Sequence, residues 1–279
     1  MNPLAARSRS FLFLPADRLQ RLDKALSSGA HMVILDLEDA VAPEAKPAAR
    51  AALEKQWSLL DLPSRERIAI RVNAVTTPWH EDDVGLVVTL AGSGLGGVVL
   101  AKCESVGPLG KLARNAPGVP LLPLVESAEG LAALDLIARA PGVSRLVFGH
   151  LDFQNELGME CGSDERELDA VRLALVVASR RAGLPGPVDG VTVNLHDVEQ
   201  LEADTHRGKR FGFTGKLCIH PGQVATVNAS LCPTSAQIDW AQRVLAAASE
   251  QHAGAFRFEG AMVDAPVLSR ARAYLQLSP

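Results

Sequence analysis

The 279-residue sequence is poor in cysteine, in long apolar runs and in any excess of one charge. Its 4 cysteines, at 103, 161, 218 and 232, make no C-x-x-C pair. That excludes a zinc ribbon or a dithiol redox motif and fits a reduced, cytoplasmic chain. No stretch approaches the ~18 apolar residues of a membrane helix, so no membrane partner is expected. The N-terminal "MNPLAARSRSFLFLPADR" has too short an apolar core for a secretory signal. Its arginines and lack of early acids are mildly transit-peptide-like, but a strand begins at once. A net charge of −4 with both signs mixed leaves no nucleic-acid footprint. No G-x-G-x-x-G fingerprint or Walker loop is present, since "AGSGLGG" precedes an apolar run rather than following one and lacks the lysine. No serine sits in a nucleophile elbow. The histidines make no compact metal motif: His196 and His206 are far apart in sequence, and His31, His80 and His252 read as peripheral. His220, in "IHPGQV", stands before a helix start and reads as a structural histidine bonding to loop backbone.

What the chain does contain is a regular alternation. Short apolar runs occur at 10–15, 31–37, 67–73, 97–102, 120–126, 144–150, 190–194 and 215–220. Helical stretches such as "ADRLQRLDKALSSG", "KPAARAALEKQWSLL", "SAEGLAALDLIARA" and "LDAVRLALVVASRRAG" separate them. Apolar strands alternating with helices indicate βα units and a parallel sheet, and eight of them predict a (β/α)8 TIM barrel over residues 1–232. Residues 233–279 read as a C-terminal helical arm, two helices joined by "AFRFEGAMVD", with no linker setting it apart.

The strand ends are polar. Asp36, Glu38 and Asp39 in "ILDLEDAVAP" follow the second run, and Arg71 and Asn73 close the third. Lys102, Glu126, His150 with Asp152, Asn194 and His220 follow the later ones. In a barrel these ends converge on the face where active sites form. Clustered buried acids need cations or a metal beside them. Glu126 and Asp152, from consecutive strands, are the candidate metal ligands, because two carboxylates completed by waters and substrate oxygens suit Mg²⁺. Glu126 could equally be an acid at the start of the helix "SAEGLAAL". Arg71 has two readings as well: a carboxylate clamp for substrate, or the structural partner of Glu38 or Asp39. The glycine of "FGHLDF" lets backbone amides approach a ligand closely.

Taken together, the blocks "DLEDAVAPEAKPAAR", "IRVNAVTTPW", "LPLVESAEGL", "FGHLDF" and "GFTGKLCIHPGQV" resemble the HpcH/HpaI aldolase and citrate lyase superfamily, in its citrate lyase beta-subunit-like and malyl-CoA lyase branch. The resemblance runs from "RSFLFLPAD" to "GAMVDAPVL". It implies a barrel that binds Mg²⁺ through Glu126 and Asp152, with Arg71 gripping an α-keto acid. Asp36, Glu38 and Asp39 match an acidic block that orders metal-bound waters and braces Arg71. Lys46, in the same block, matches a position that holds the following loop or approaches the acyl carrier of the cofactor. Asp264 in "GAMVD" matches an acid delivered by the arm of a neighbouring subunit, so a homo-oligomer, trimeric or trimer-based, is implied. Arg71, Asp264, Glu38 and Asp39 form the implied catalytic set, and Gly149, His150 and Leu151 join Arg71 in binding substrate.

The activity implied is Mg²⁺-dependent carbon–carbon cleavage of a malyl-CoA or citramalyl-CoA type thioester, giving acetyl-CoA and glyoxylate or pyruvate. Rival readings are a malyl-CoA-type thioesterase, a citryl-carrier lyase subunit with an acyl carrier protein as partner, an aldolase of a free 2-keto-4-hydroxy acid, and a non-catalytic acyl-CoA-binding protein. The sequence departs from the common pattern at Ala16 for Gly, Ala101 for Pro, and His150–Leu151 beside Asp152.

Overall fold

The computed structural model describes residues 3–251 and 254–277. Two compact units divide the chain, Met1–Asn228 and Ala229–Pro279. The first is the expected barrel. Its eight strands are β1 (Ser10–Pro15), β2 (Met32–Asp36), β3 (Ile68–Val72), β4 (Gly97–Leu100), β5 (Leu121–Val125), β6 (Val147–Phe148), β7 (Val188–Asp189) and β8 (Gly215–Cys218). All neighbours pair in parallel, and β8 returns to pair with β1 and close the sheet. Helices such as Lys46–Trp57, His80–Ala91, Val106–Asn115, Asp169–Arg181 and Val198–Phe211 make the crossovers.

Strand side chains alternate faces, and that period of two decides what the barrel holds. Phe11, Met32, Ile34, Ala69, Val99, Leu122, Leu124, Val147, Val188 and Leu217 form one buried cluster inside it. Two residues further along each strand, the same face carries Pro15 or a neighbour, Asp36, Arg71, Ala101, Glu126, Gly149, Gly190 and Ile219. The apolar interior therefore gives way to a polar layer at the C-terminal mouth without any break in register.

At the opposite end, Arg145 is fully buried. Its guanidinium donates to the carbonyls of Gly186 and Ser8 and to Thr214 Oγ1, at 2.7, 2.5 and 2.6 Å. It also lies 5.5 Å from the centre of the Phe11 ring. Among the described residues no carboxylate pairs with it, and burial holds its pKa down to about 9.

Several elements differ from the sequence expectation. The seventh strand is Val188–Asp189, not 190–194. The segment "GVTVN" has strand-like residues, but side chains intercept its backbone. Asp189 Oδ1 accepts from the Gly190 amide at 2.9 Å, Lys216 Nζ donates to the Gly190 carbonyl, and Gln223 Nε2 donates to that of Thr192. The sixth strand is only two residues long because a helix, His150–Leu157, begins directly after Gly149. The stretch 127–140 is two short helices, Ala128–Ala132 and Leu134–Ala138, broken at Ala133.

The second unit contains helices Ser235–Gln251 and Ala265–Leu277. The segment joining them is an antiparallel hairpin, β9 (Phe256–Phe258) with β10 (Ala261–Val263), rather than an irregular link. Its turn uses Glu259 and Gly260, both at positive φ. Ala241, Val244, Val263 and Ala271 form its small core, with Trp240 and Tyr274 edge-on at 6.2 Å. Among the described residues no helix is long and apolar enough to cross a membrane.

Candidate active site

A cavity of about 450 Å³ opens at the barrel mouth. Its lining includes Asp36, Arg71, Glu126, Gly149, His150, Leu151 and Asp152, with Asp39 at its edge and Phe13, Leu124, Phe148 and Leu217 below. The expected metal-binding carboxylates and keto-acid clamp thus share one pocket. A second cavity of about 400 Å³ shares Phe13, Pro15 and Ile219 with it and is lined by Arg21, Lys24 and His220.

Arg71 is held on two sides. Asp36 receives Nε and Nη2 in a bidentate pair at 2.7 and 2.6 Å, and Glu38 Oε2 meets Nη1 at 2.9 Å. The ring of Phe13 lies 4.8 Å beneath the guanidinium. Burial opposes the charge, but Asp36 and then Glu38 outweigh it and raise the pKa of Arg71 further. Arg71 is therefore a structural partner of Asp36 and Glu38, and it also lines the pocket.

Asp39 does not brace it. Its side chain is 61% exposed, and the cation nearest to it is Lys102, at 4.0 Å. Asp39 lies exposed in the turn beyond β2, at the rim of the pocket, whereas Asp36 and Glu38 are buried.

Glu126 is buried, one residue past β5. Ser127, not Glu126, caps the following helix, its Oγ accepting from the Gly130 amide at 3.1 Å. That leaves Glu126 free of the capping role. Its Oε1 takes the Lys102 amide at 2.7 Å. Its Oε2 lies against the bare Cα of Gly149, where a Cβ would come within 2.3 Å. Burial pushes Glu126 up to about 8, against the pull of the Lys102 amide, and the charges of Glu38 and Asp152 add to the rise. A buried carboxylate facing further carboxylates fits a divalent cation by its donor chemistry. Among the described residues no three His, Cys, Asp or Glu side chains gather around one point. A metal here would take Glu126 and Asp152 and complete its shell with water and substrate oxygens.

Asp152 stands in the first turn of His150–Leu157, not at a strand end. The Gly149 amide is already spent on the Val125 carbonyl, at 3.0 Å. The backbone amides of the helix's first turn belong to His150, Leu151 and Asp152.

Lys46 corrects the cofactor-binding expectation. It is buried, and its Nζ donates to the Leu37 and Glu38 carbonyls and to Asn73 Oδ1, at 2.7, 2.6 and 2.9 Å. All three ammonium protons are used in holding the acidic loop, so none reaches a cofactor. His220 behaves as expected of a structural histidine: its Nδ1 accepts from the Gly222 amide at 3.1 Å, at a helical turn. Asp264, in the second unit, begins helix Ala265–Leu277 and accepts from the Val267 amide at 3.3 Å. His252 lies outside the described residues.

One functional neighbour escaped the sequence reading. His150 Nε2 lies 3.2 Å from Glu165 Oε1, and Glu165 Oε2 pairs with Arg172 and Arg207. Burial alone would raise Glu165, but His150 and Arg172 hold it down to about 2. Glu165 adopts φ 47 in a segment without periodicity, and nothing local in the sequence signals that contact.

Known proteins resemble this chain along most of its length. The model of the HpcH/HpaI aldolase/citrate lyase family matches residues 9–221. A citrate lyase subunit beta-like protein of Deinococcus radiodurans is 35% identical over 286 residues, covering 99% of each chain. A (3S)-malyl-CoA thioesterase of Cereibacter sphaeroides is 36% identical, over 87% of this chain and 83% of its own. The human mitochondrial citramalyl-CoA lyase is 30% identical, over 95% and 83%. The crystal structure of Mycobacterium tuberculosis CitE with magnesium, acetoacetate and coenzyme A superposes with a TM-score of 0.84 at 36% identity, covering 98% of both chains.

Proposed function

The chain belongs to the HpcH/HpaI aldolase/citrate lyase family, and from that premise we propose that it is a Mg²⁺-dependent carbon–carbon lyase of malyl-CoA or citramalyl-CoA type thioesters. One observation carries the reading: a doubly anchored guanidinium and two carboxylates, Arg71 with Glu126 and Asp152, line a single pocket at the barrel mouth.

Glu126 and Asp152 would hold Mg²⁺, which supplies Lewis acidity to the substrate carboxylate and hydroxyl oxygens. Arg71 would bind the keto-acid end and stabilise the charge developing there. Its plane is fixed in advance by Asp36 and Glu38, so little reorganisation is needed. Asp39, exposed at the pocket edge, would take the hydroxyl proton. Breaking the bond between the carbinol carbon and the thioester α-carbon then yields glyoxylate or pyruvate and the enolate of the acetyl thioester. Asp264, supplied by the arm of a neighbouring copy in a homo-oligomer, would protonate that enolate carbon, and burial on closure would raise its pKa for the task. The groove with Arg21, Lys24 and His220 would receive the anionic phosphates of the coenzyme.

A second reading has its own support in the thioesterase relatives. Water attacking the acyl carbon in the same pocket would release free coenzyme A and leave the hydroxy diacid whole. Product analysis by mass spectrometry, with malyl-CoA and citramalyl-CoA offered in parallel and EDTA controls, separates the two. Acetyl-CoA with glyoxylate or pyruvate, lost in Glu126→Gln, supports the lyase. Free coenzyme A with intact malate or citramalate supports the thioesterase. No turnover of either thioester refutes the substrate class.

A further inference from the structure

Lys102 follows β4 with φ 46, a left-handed conformation that an L side chain adopts only at a cost. Two contacts come from this residue. The Lys102 amide donates to Glu126 Oε1 at 2.7 Å. Its Nζ donates to Glu38 Oε1 at 2.8 Å, and the other oxygen of Glu38 pairs with Arg71 Nη1 at 2.9 Å. One residue of a single turn therefore touches the support of both halves of the pocket.

We propose that Lys102 is a positioning residue with two separable tasks: its left-handed main chain turns an amide onto Glu126 and sets the metal-binding carboxylate, while its ammonium holds Glu38 against Arg71 and sets the keto-acid-binding guanidinium. The inference rests on the roles given above to Glu126 and Arg71, and adds that the β4 turn sets both. Neither task brings Lys102 into contact with substrate. The side chain is 42% exposed, with Glu38 Oε1 at 2.8 Å as its hydrogen-bond partner and Asp39 more distant at 4.0 Å.

The two tasks separate by substitution. Glycine keeps the amide and adopts positive φ freely, but removes the ammonium. Valine also keeps an amide, but its β-branch resists the left-handed region, so the amide turns away. Arginine keeps a cation able to reach Glu38. The experiment is calorimetric titration of Mn²⁺, then of pyruvate into the Mn²⁺-loaded protein, for wild type and each variant, with a thermal melt of each.

Lys102→Gly should bind Mn²⁺ within about threefold of wild type yet bind pyruvate about tenfold more weakly. Lys102→Val should lose about tenfold or more in Mn²⁺ affinity, in the range found when groups behind a metal ligand are removed. Lys102→Arg should recover most of the pyruvate affinity lost in Lys102→Gly. Equal Mn²⁺ affinity in the folded glycine and valine variants would overturn the first task. Pyruvate affinity unchanged in Lys102→Gly would overturn the second. Should wild type bind no Mn²⁺, or Glu126→Gln bind it as tightly as wild type, the metal reading itself falls and takes this inference with it.

Discussion

Gly149→Ala is the sharpest single perturbation of the pocket. Gly149 has φ −96, which alanine tolerates, so the backbone offers no objection. The objection is steric. A Cβ at this position would meet Glu126 Oε2 at 2.3 Å, Glu126 Cβ at 2.7 Å and Glu126 Cδ at 3.2 Å. The first contact could be relieved by swinging the carboxylate, but Glu126 Cβ is fixed to its backbone and must move with it. Glu126 then retreats by about 1 Å from its position under the Lys102 amide, a displacement worth about 100-fold where geometry must be held closely. Overpacking of this kind costs about 1–3 kcal/mol and lowers Tm by roughly 2 to 10 °C in a domain of this size. The assay pairs a thermal melt with calorimetric titration of Mn²⁺. The expected result is a folded protein with a modestly lowered Tm and Mn²⁺ affinity reduced by one to two orders of magnitude. A variant that melts lower but binds Mn²⁺ as wild type does would refute the argument, because Glu126 would then have moved without consequence for the metal.

Lys46→Met removes the buried ammonium from Asn73 Oδ1 and from the Leu37 and Glu38 carbonyls, which keep Asn73 Nδ2 and the Val41 amide as donors, and should cost about 1–3 kcal/mol in urea unfolding, with the acidic loop loosened. Glu165 titrates near 2 when folded and near 4.5 when unfolded, so its stabilisation is complete above about pH 5 and is lost as pH falls toward 2. Discounted for partial exposure, that contribution is about 1–2 kcal/mol. Acid unfolding curves of wild type and Glu165→Gln should therefore converge as pH falls from 5 to 2; a constant offset would contradict the assignment. Asp264→Ala should abolish solvent exchange of the acetyl thioester α-protons, followed by NMR, while pyruvate binding stays within a few-fold of wild type. Loss of pyruvate binding would instead give Asp264 a role in substrate placement.

The barrel was legible because its evidence is periodic. Eight apolar runs spaced by helical stretches admit few architectures, and the alternation inside each run continues into the mouth, which is why Asp36, Arg71 and Glu126 share a pocket as the strand ends imply. The failures occur where side chains replace regular backbone pairing. Residues 190–194 carry strand-like composition, yet Asp189, Lys216 and Gln223 take up their backbone groups. Lys46 lies in an acidic block and invites a ligand-facing role, but only the fold shows three acceptors closing around its ammonium. Arg145 and Glu165 are invisible for a related reason: their partners come from distant segments, and a single buried ion has no local pattern.

The acid-rich mouth carries a consequence for the order of events. Asp36, Glu38, Asp39, Glu126 and Asp152 gather at the mouth with Arg71, Lys102 and the buried Lys46 as the cations beside them, and Arg71 is already committed to two of the acids. Even with a proton on Glu126, the remaining four acids outnumber the three cations, and a dicarboxylic thioester arriving first meets like charge. A divalent cation arriving first reverses that. On the proposed reading, turnover is an ordered process in which the cation binds ahead of the thioester, and substrate capture slows as the free cation concentration drops.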